Sequence, residues 1–230
     1  MKKAFLALAI VTGLTSFTGS AKADSVTYYN PQSGTVSSFG SVGAATETYG
    51  VTFYAPGSSF ASLNDFTFNW SGSSTIAYQA DVYAWSGTQA TGSSLFSHNT
   101  SMTGNGNFQA VTTTTGGVTL TSGMQYVAFF TTSDPTSITN QGSAVGAWAF
   151  GTASTLLPSG EGGQFVFYNN STQNLLTTST WDSIGYSYSW NAAFTANFTT
   201  TAVPEPSTYA LLGLGALVLV FATRTKRRRA

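Results

Sequence analysis

The chain has 230 residues, of which 14% are aromatic, 7% are charged and none is cysteine. Its formal net charge of zero hides a segregation: all eight Lys and Arg fall before Asp24 or after Thr223, and the stretch from Asp24 to Val203 keeps seven acids and no base. That balance of −7, with His98 neutral, excludes nucleic acid, whose phosphates need Lys and Arg, and repels anionic polymers unless a divalent cation bridges them.

In chain order, Met1-Lys2-Lys3 is a basic n-region and Ala4 to Val11 an apolar h-region that continues more loosely to Phe17. Ala21-Lys22-Ala23 is an A-x-A site, so residues 1–23 are expected to be a secretory signal removed by signal peptidase. The exported remainder has no disulfide to staple it. Burial must hold it, and about 180 residues suffice for one core.

The recurring signal after Asp24 is alternation with period two. Phe66, Phe68 and Trp70 fall on one face while Thr67 and Asn69 fall on the other, which predicts a half-buried strand. Ile76, Tyr78, Ala80, Val82 and Ala84 alternate with Gln79, Asp81, Tyr83 and Trp85, so this stretch predicts a central strand with both faces partly covered. Further strands are expected at Tyr49 to Ala55, Ser94 to Asn99, Phe108 to Thr114, Gln125 to Thr131, Ala144 to Phe150, Gln164 to Tyr168 and Ala192 to Thr200. Ala55-Pro56-Gly57, Ser71-Gly72-Ser73, Gly104-Asn105-Gly106, Thr115-Gly116-Gly117, Asp134-Pro135 and Gly160-Glu161-Gly162-Gly163 supply the turns. No stretch of this domain reads as a helix. The expected fold is all-β, a two-sheet, jelly-roll-like β-sandwich over 24–198, followed by a linker at 199–203.

The last segment has a different character. Pro204-Glu205-Pro206 precedes an uncharged run from Tyr209 to Ala222, and Arg224, Lys226, Arg227, Arg228 and Arg229 follow. As a helix, 209–222 spans about 21 Å, short of a hydrocarbon core of roughly 30 Å. Snorkelling arginines and slight bilayer thinning accommodate such a span. The positive-inside rule places the basic tail, 224–229, in the cytoplasm and the domain on the far side. The two prolines hold Glu205 extended, a form suited to a protease reading a peptide at the membrane exit.

This ordered combination of tripeptide, Gly/Leu-rich helix and terminal Arg cluster resembles the PEP-CTERM sorting signal, here residues 204–230. The resemblance implies a Gram-negative host, recognition of Pro204, Glu205 and Pro206 by the membrane enzyme exosortase, and removal of the tail. It further implies transient membrane anchoring and delivery to the cell surface or the exopolysaccharide matrix. It covers about a tenth of the chain and concerns destination, not ligand.

The domain's own chemistry is sparse. Zinc wants His and Cys ligands, and one His and no Cys are present. His98 lacks a G-x-S-x-G partner motif, and no spacing among the acids marks a pair for glycoside hydrolysis. No cofactor is expected. A structural calcium ion is compatible with Asp65, Asp81 or Asp134, although the D-x-D-x-D-G pattern is absent. Asp81, Tyr83 and Trp85 share a strand face and are the candidate glycan contact, an aromatic platform beside a carboxylate, and Trp181-Asp182 repeats the pairing; packing in the core or at a strand edge is the favoured reading of Trp85 and Trp181. The functional expectation is a non-enzymatic structural or adhesive protein of the surface or biofilm matrix. A lectin-like module is the alternative, and a secreted glycan hydrolase the second.

Overall fold

The computed structural model describes residues 24–30, 32–40, 46–57, 60–133, 145–151, 163–169, 173–183 and 192–200, with isolated positions 213, 215 and 216. Asp24–Thr200 forms one compact unit; Met1–Ala23 with Thr201–Ala230 forms another. The expected signal peptide, Pro204-Glu205-Pro206 and the basic tail lie outside the described residues, as does nearly all of the expected span at 209–222. Among the described residues no helix is long and apolar enough to cross a membrane.

The described part of the domain holds twelve strands: β1 Asp24–Asn30, β2 Gln32–Gly40, β3 Thr48–Tyr54, β4 Phe60–Gly72, β5 Thr75–Trp85, β6 Ala90–Thr103, β7 Gln109–Thr121, β8 Gln125–Thr131, β9 Val145–Gly151, β10 Phe165–Tyr168, β11 Asp182–Ser183 and β12 Phe194–Thr200. They form two antiparallel six-stranded sheets. The first runs β1-β12-β4-β9-β2 with β7 on the other side of β4, and the second runs β11-β10-β3-β8-β5-β6. The expectation of an all-β chain in two antiparallel sheets is met.

The sheets face each other across aromatic rings. Phe68 of β4 meets Phe130 of β8 with centroids 5.0 Å apart, and Phe53 of β3 meets Phe198 of β12 at 5.7 Å. Trp148 of β9 meets Tyr49 of β3 edge to face at 5.4 Å. Phe68 and Phe198 are sent inward by alternation with Thr and Asn, while Trp148 alternates with Ala147 and Ala149. Burying one such side chain contributes about 1.5–3 kcal/mol, and each well-oriented ring pair about 0.5–1.5 kcal/mol more. Aromatic burial thus replaces the missing disulfides.

Outside the core, hydroxyls pair across strands. Thr67 and Thr112 lie 2.8 Å apart through their Oγ1 atoms, Thr75 and Thr103 2.9 Å, and the buried pair Thr48 and Thr131 2.7 Å. Such pairs take the place of salt bridges in a domain without bases.

Four features differ from the sequence expectations. β1, β2 and the short β11 form where no strand was expected; β1 is drawn into the sheet by pairing along its whole length with β12. Gly116 and Gly117 are not a turn. They sit inside β7 at φ +73° and +92°, where the register with β4 shifts between Leu63 and Asp65, so their positive φ builds a β-bulge. Thr199 and Thr200, which fall both in the expected strand Ala192 to Thr200 and in the expected linker, are the last residues of β12, held by Ser25 and Asp24 opposite them. A 3-10 turn, Gln173–Thr177, breaks the all-strand expectation.

Candidate functional site

The expected contact residues Asp81, Tyr83 and Trp85 do share one face of β5, and it is the face turned away from the main core. Ile76, Tyr78, Ala80 and Val82 line the main core, while Trp85 and Tyr83 belong to a second apolar cluster with Val127, Phe129, Leu176 and Trp181. Both faces of β5 are therefore covered, as its double alternation implies.

The cover comes from the 3-10 turn. Trp181 stands edge to face on Trp85 at 5.5 Å and 85°, and on Phe129 at 5.1 Å and 73°. Its Nε1 donates to the Leu176 carbonyl at 2.8 Å, and its backbone N–H donates to the Thr88 carbonyl at 2.9 Å. Gln89 Nε2 ties the same segment down by donating to the Thr177 carbonyl at 2.7 Å. Trp85 is left 9% exposed, too little for a sugar ring to stack on its face.

Asp81 is fully enclosed. Gln79 Nε2 lies 3.0 and 2.9 Å from its two carboxylate oxygens and 2.8 Å from Ser97 Oγ. Tyr83 stacks on Phe129 at 5.7 Å and 23°. Burial pushes the Tyr83 hydroxyl above its ordinary pKa, the Asp81 charge adds to this, and a hydrogen bond with Ser94 opposes both. The trio is thus a packed corner with one amide-clamped carboxylate, not an open platform. Trp181 is buried like Trp85, and Asp182 is exposed on β11.

The metal candidates do not converge. Asp65 lies on the outer face of the first sheet and Asp81 on the outer face of the second, while Asp134 is outside the described residues. Among the described residues no group of three His, Asp or Glu is placed to hold a metal ion. His98 is exposed on edge strand β6, across from Ala80, with its ring 6.5 Å from that of Phe96.

The open face is elsewhere, on the outside of the first sheet. Register places Tyr29, Thr195, Thr67 and Thr112 in one row across β1, β12, β4 and β7. Thr27, Asn197, Asp65 and Thr114 form the next row. Within it Thr27 Oγ1 donates to Asn197 Oδ1 at 2.8 Å, and Asn197 Nδ2 donates to Asp65 Oδ1 at 2.7 Å. Asn64 Nδ2 donates to Thr199 Oγ1 at 2.9 Å farther along. Tyr29 is 62% exposed. Sequence reading missed this face because β1 was not recognised as a strand; the alternation of Val26 and Tyr28 with Thr27 and Tyr29 was the available signal.

Residues 202–229 match the PEP-CTERM protein-sorting motif, so the chain carries that motif over the stretch that holds Pro204, Glu205, Pro206 and the basic cluster. No curated protein matches the chain. Among solved structures, the cysteine protease and lectin-like domains of Cwp84, a surface-layer-associated protein of Clostridium difficile, are 13% identical with a TM-score of 0.48, over 77% of this chain and 36% of that one. The clostridial cysteine protease Cwp84 after propeptide cleavage is 16% identical with a TM-score of 0.49, over 77% of this chain and 41% of that one. The chain spans about two-fifths of the length of these structures.

Proposed function

We propose that the protein is exosortase cargo: an exported, non-enzymatic structural or adhesive unit of the cell surface or exopolysaccharide matrix. The observation that carries this reading is the sorting motif at 202–229, which begins almost at once after β12 closes the sheet at Thr200. β12 is locked between β1 and β4, so the folded domain is complete before the motif starts. Only Thr201 to Val203 separate it from Pro204, a reach of about 10 Å when extended. A protease that reads Pro204-Glu205-Pro206 therefore works on a short extended peptide and releases the domain intact. The hydrolase alternative requires two carboxylates facing one cleft, and Asp65 and Asp81 on opposite outer faces do not favour it. Self-paired hydroxyls and amides favour a stable surface unit.

The test is the mass of the cell-associated protein in its host for Glu205→Ala and Pro206→Ala. Retention of the uncleaved tail in both variants is the expected result. Normal cleavage and release of both overturns the reading.

A further inference from the structure

We infer that the outer face of the first sheet binds a neutral, linear polysaccharide, with Tyr29 as the stacking ring and the row Thr27, Asn197, Asp65 as its polar bed. The inference rests on the reading as a surface protein only for its setting, since the binding chemistry is independent of the sorting motif.

Spacing comes first. Strands lie about 4.8 Å apart and alternate residues step about 6.8 Å along each strand, so the two rows make an open grid four strands wide, with the usual sheet twist and register shifts beside the second row. An extended polymer spans such a face, whereas a small molecule seeks a cleft. Rigidity comes next. The bonds from Thr27 to Asn197 and from Asn197 to Asp65 hold these rotamers before any ligand arrives, which lowers the ordering cost of binding. Spare acceptor sites on the Asp65 carboxylate, together with the hydroxyls of Thr27, Thr67 and Thr112, present donors and acceptors at sugar-hydroxyl scale. The stacking surface is the 62%-exposed Tyr29, which makes no ring contact with any described residue. An aromatic left this open at the end of a hydroxyl row gives the apolar C–H face of a pyranose something to cover.

Charge selects the occupant. With no Lys or Arg from Asp24 to Val203, an acidic polymer finds only like charge, whereas a neutral polyol is not repelled. Binding should then hold as salt rises.

The experiment uses the full chain in detergent micelles against cellulose, curdlan and galactomannan, with alginate as the acidic comparator. Wild type is expected to be retained on at least one neutral polymer, equally at low and high salt, and not on alginate. Tyr29→Ala should weaken retention at least tenfold at an unchanged melting temperature, Tyr29→Trp should keep it, and Leu175→Ala, on the 3-10 turn, should not alter it. Absence of retention on every neutral polymer, retention on alginate instead, or loss in Tyr29→Ala of self-association by light scattering with glycan retention intact each overturns the proposal. Host-cell mass measurement of Tyr29→Ala separates this from sorting: normal cleavage with no glycan binding in any form sinks the inference alone, and an uncleaved wild type sinks the sorting reading alone.

Discussion

Trp70 packs against Gly146. A Cβ at position 146 would fall closer than 3.0 Å to Trp70 Nε1 and to the Ser71 carbonyl, and one at Gly72 would meet the far edge of the same indole. Gly72 and Gly146 are register partners of β4 and β9, so two facing glycines make the slot that the largest side chain of β4 fills. Trp70 and its cross-strand partner Trp148 are both buried, and neither indole N–H has an acceptor. Shape, not hydrogen bonding, holds these two rings.

Gly146→Ala is therefore expected to destabilise the domain by about 1–3 kcal/mol through overpacking. In a Trp70→Phe background, where the ring no longer reaches the slot, the same change should cost less by the share of the clash that the indole supplies, while the approach to the Ser71 carbonyl remains. Urea melts of the four-member cycle measure the difference, and an equal cost in both backgrounds would show that Trp70 is not what forbids a side chain at 146.

Trp85→Ala should cost about 3–5 kcal/mol by leaving a cavity under Trp181. Trp181→Ala should cost a similar amount. Because each ring is the other's edge-to-face partner, the double variant should lose less than the sum of the two. Strict additivity in chemical denaturation would mean that the two rings pack independently.

The strands of the core were legible because their alternation is strict. Phe66, Phe68 and Trp70 against Thr67 and Asn69 give the buried face of β4 directly, and the two sets of β5 give both of its contacts. That Trp85 is covered was legible from the second apolar set of β5, but what covers it was not. Its cover arrives from a segment tied down by the Gln89–Thr177 bond, 88 positions along the chain, and nothing near Trp85 signals it. Gly116-Gly117 was misread for a local reason: a glycine pair supports a turn and a bulge equally well, and only the partner strand decides. The polar grid beside Tyr29 depends on four strands in register, no two of them consecutive in the chain, which no single window of sequence reveals. The sorting motif, by contrast, lies in one contiguous stretch at the C-terminal end and was legible there.

Calcium should not stabilise the domain. Asp65 is engaged by Asn197 and Asp81 by Gln79, on the outer faces of different sheets, so neither offers a ready multidentate oxygen site. A ligand at a hundred times its Kd adds about 2.7 kcal/mol, which moves a melting temperature by several degrees. The expected outcome is overlapping melts in EDTA and in millimolar calcium. An upward shift in calcium alone would reveal a site that includes residues beyond these two.

Stability should fall steeply at alkaline pH, and Tyr78 is the main reason. Its ring lies 3% exposed in the core, 4.3 Å from Phe130, and burial pushes its hydroxyl up to about 12 from 10.0, against the opposing pull of a hydrogen bond with Thr113. Burial likewise raises Tyr49, opposed by its hydrogen bond with Thr46. The folded-state pKa lies above the unfolded one, so the unfolded chain loses its proton first as pH rises. The contribution of Tyr78 is therefore complete below pH 10 and disappears as pH climbs through about 12. Tyr78→Phe gives up the Thr113 bond at neutral pH, a loss of about 0.5–1.5 kcal/mol, but has no phenol to ionise. Wild type should be the more stable of the two at pH 7, and the gap should close or reverse by pH 12. Melting temperatures of both proteins at pH 7, 9, 10, 11 and 12 provide the check, and a gap that stays constant across that series would show that Tyr78 does not titrate with unfolding.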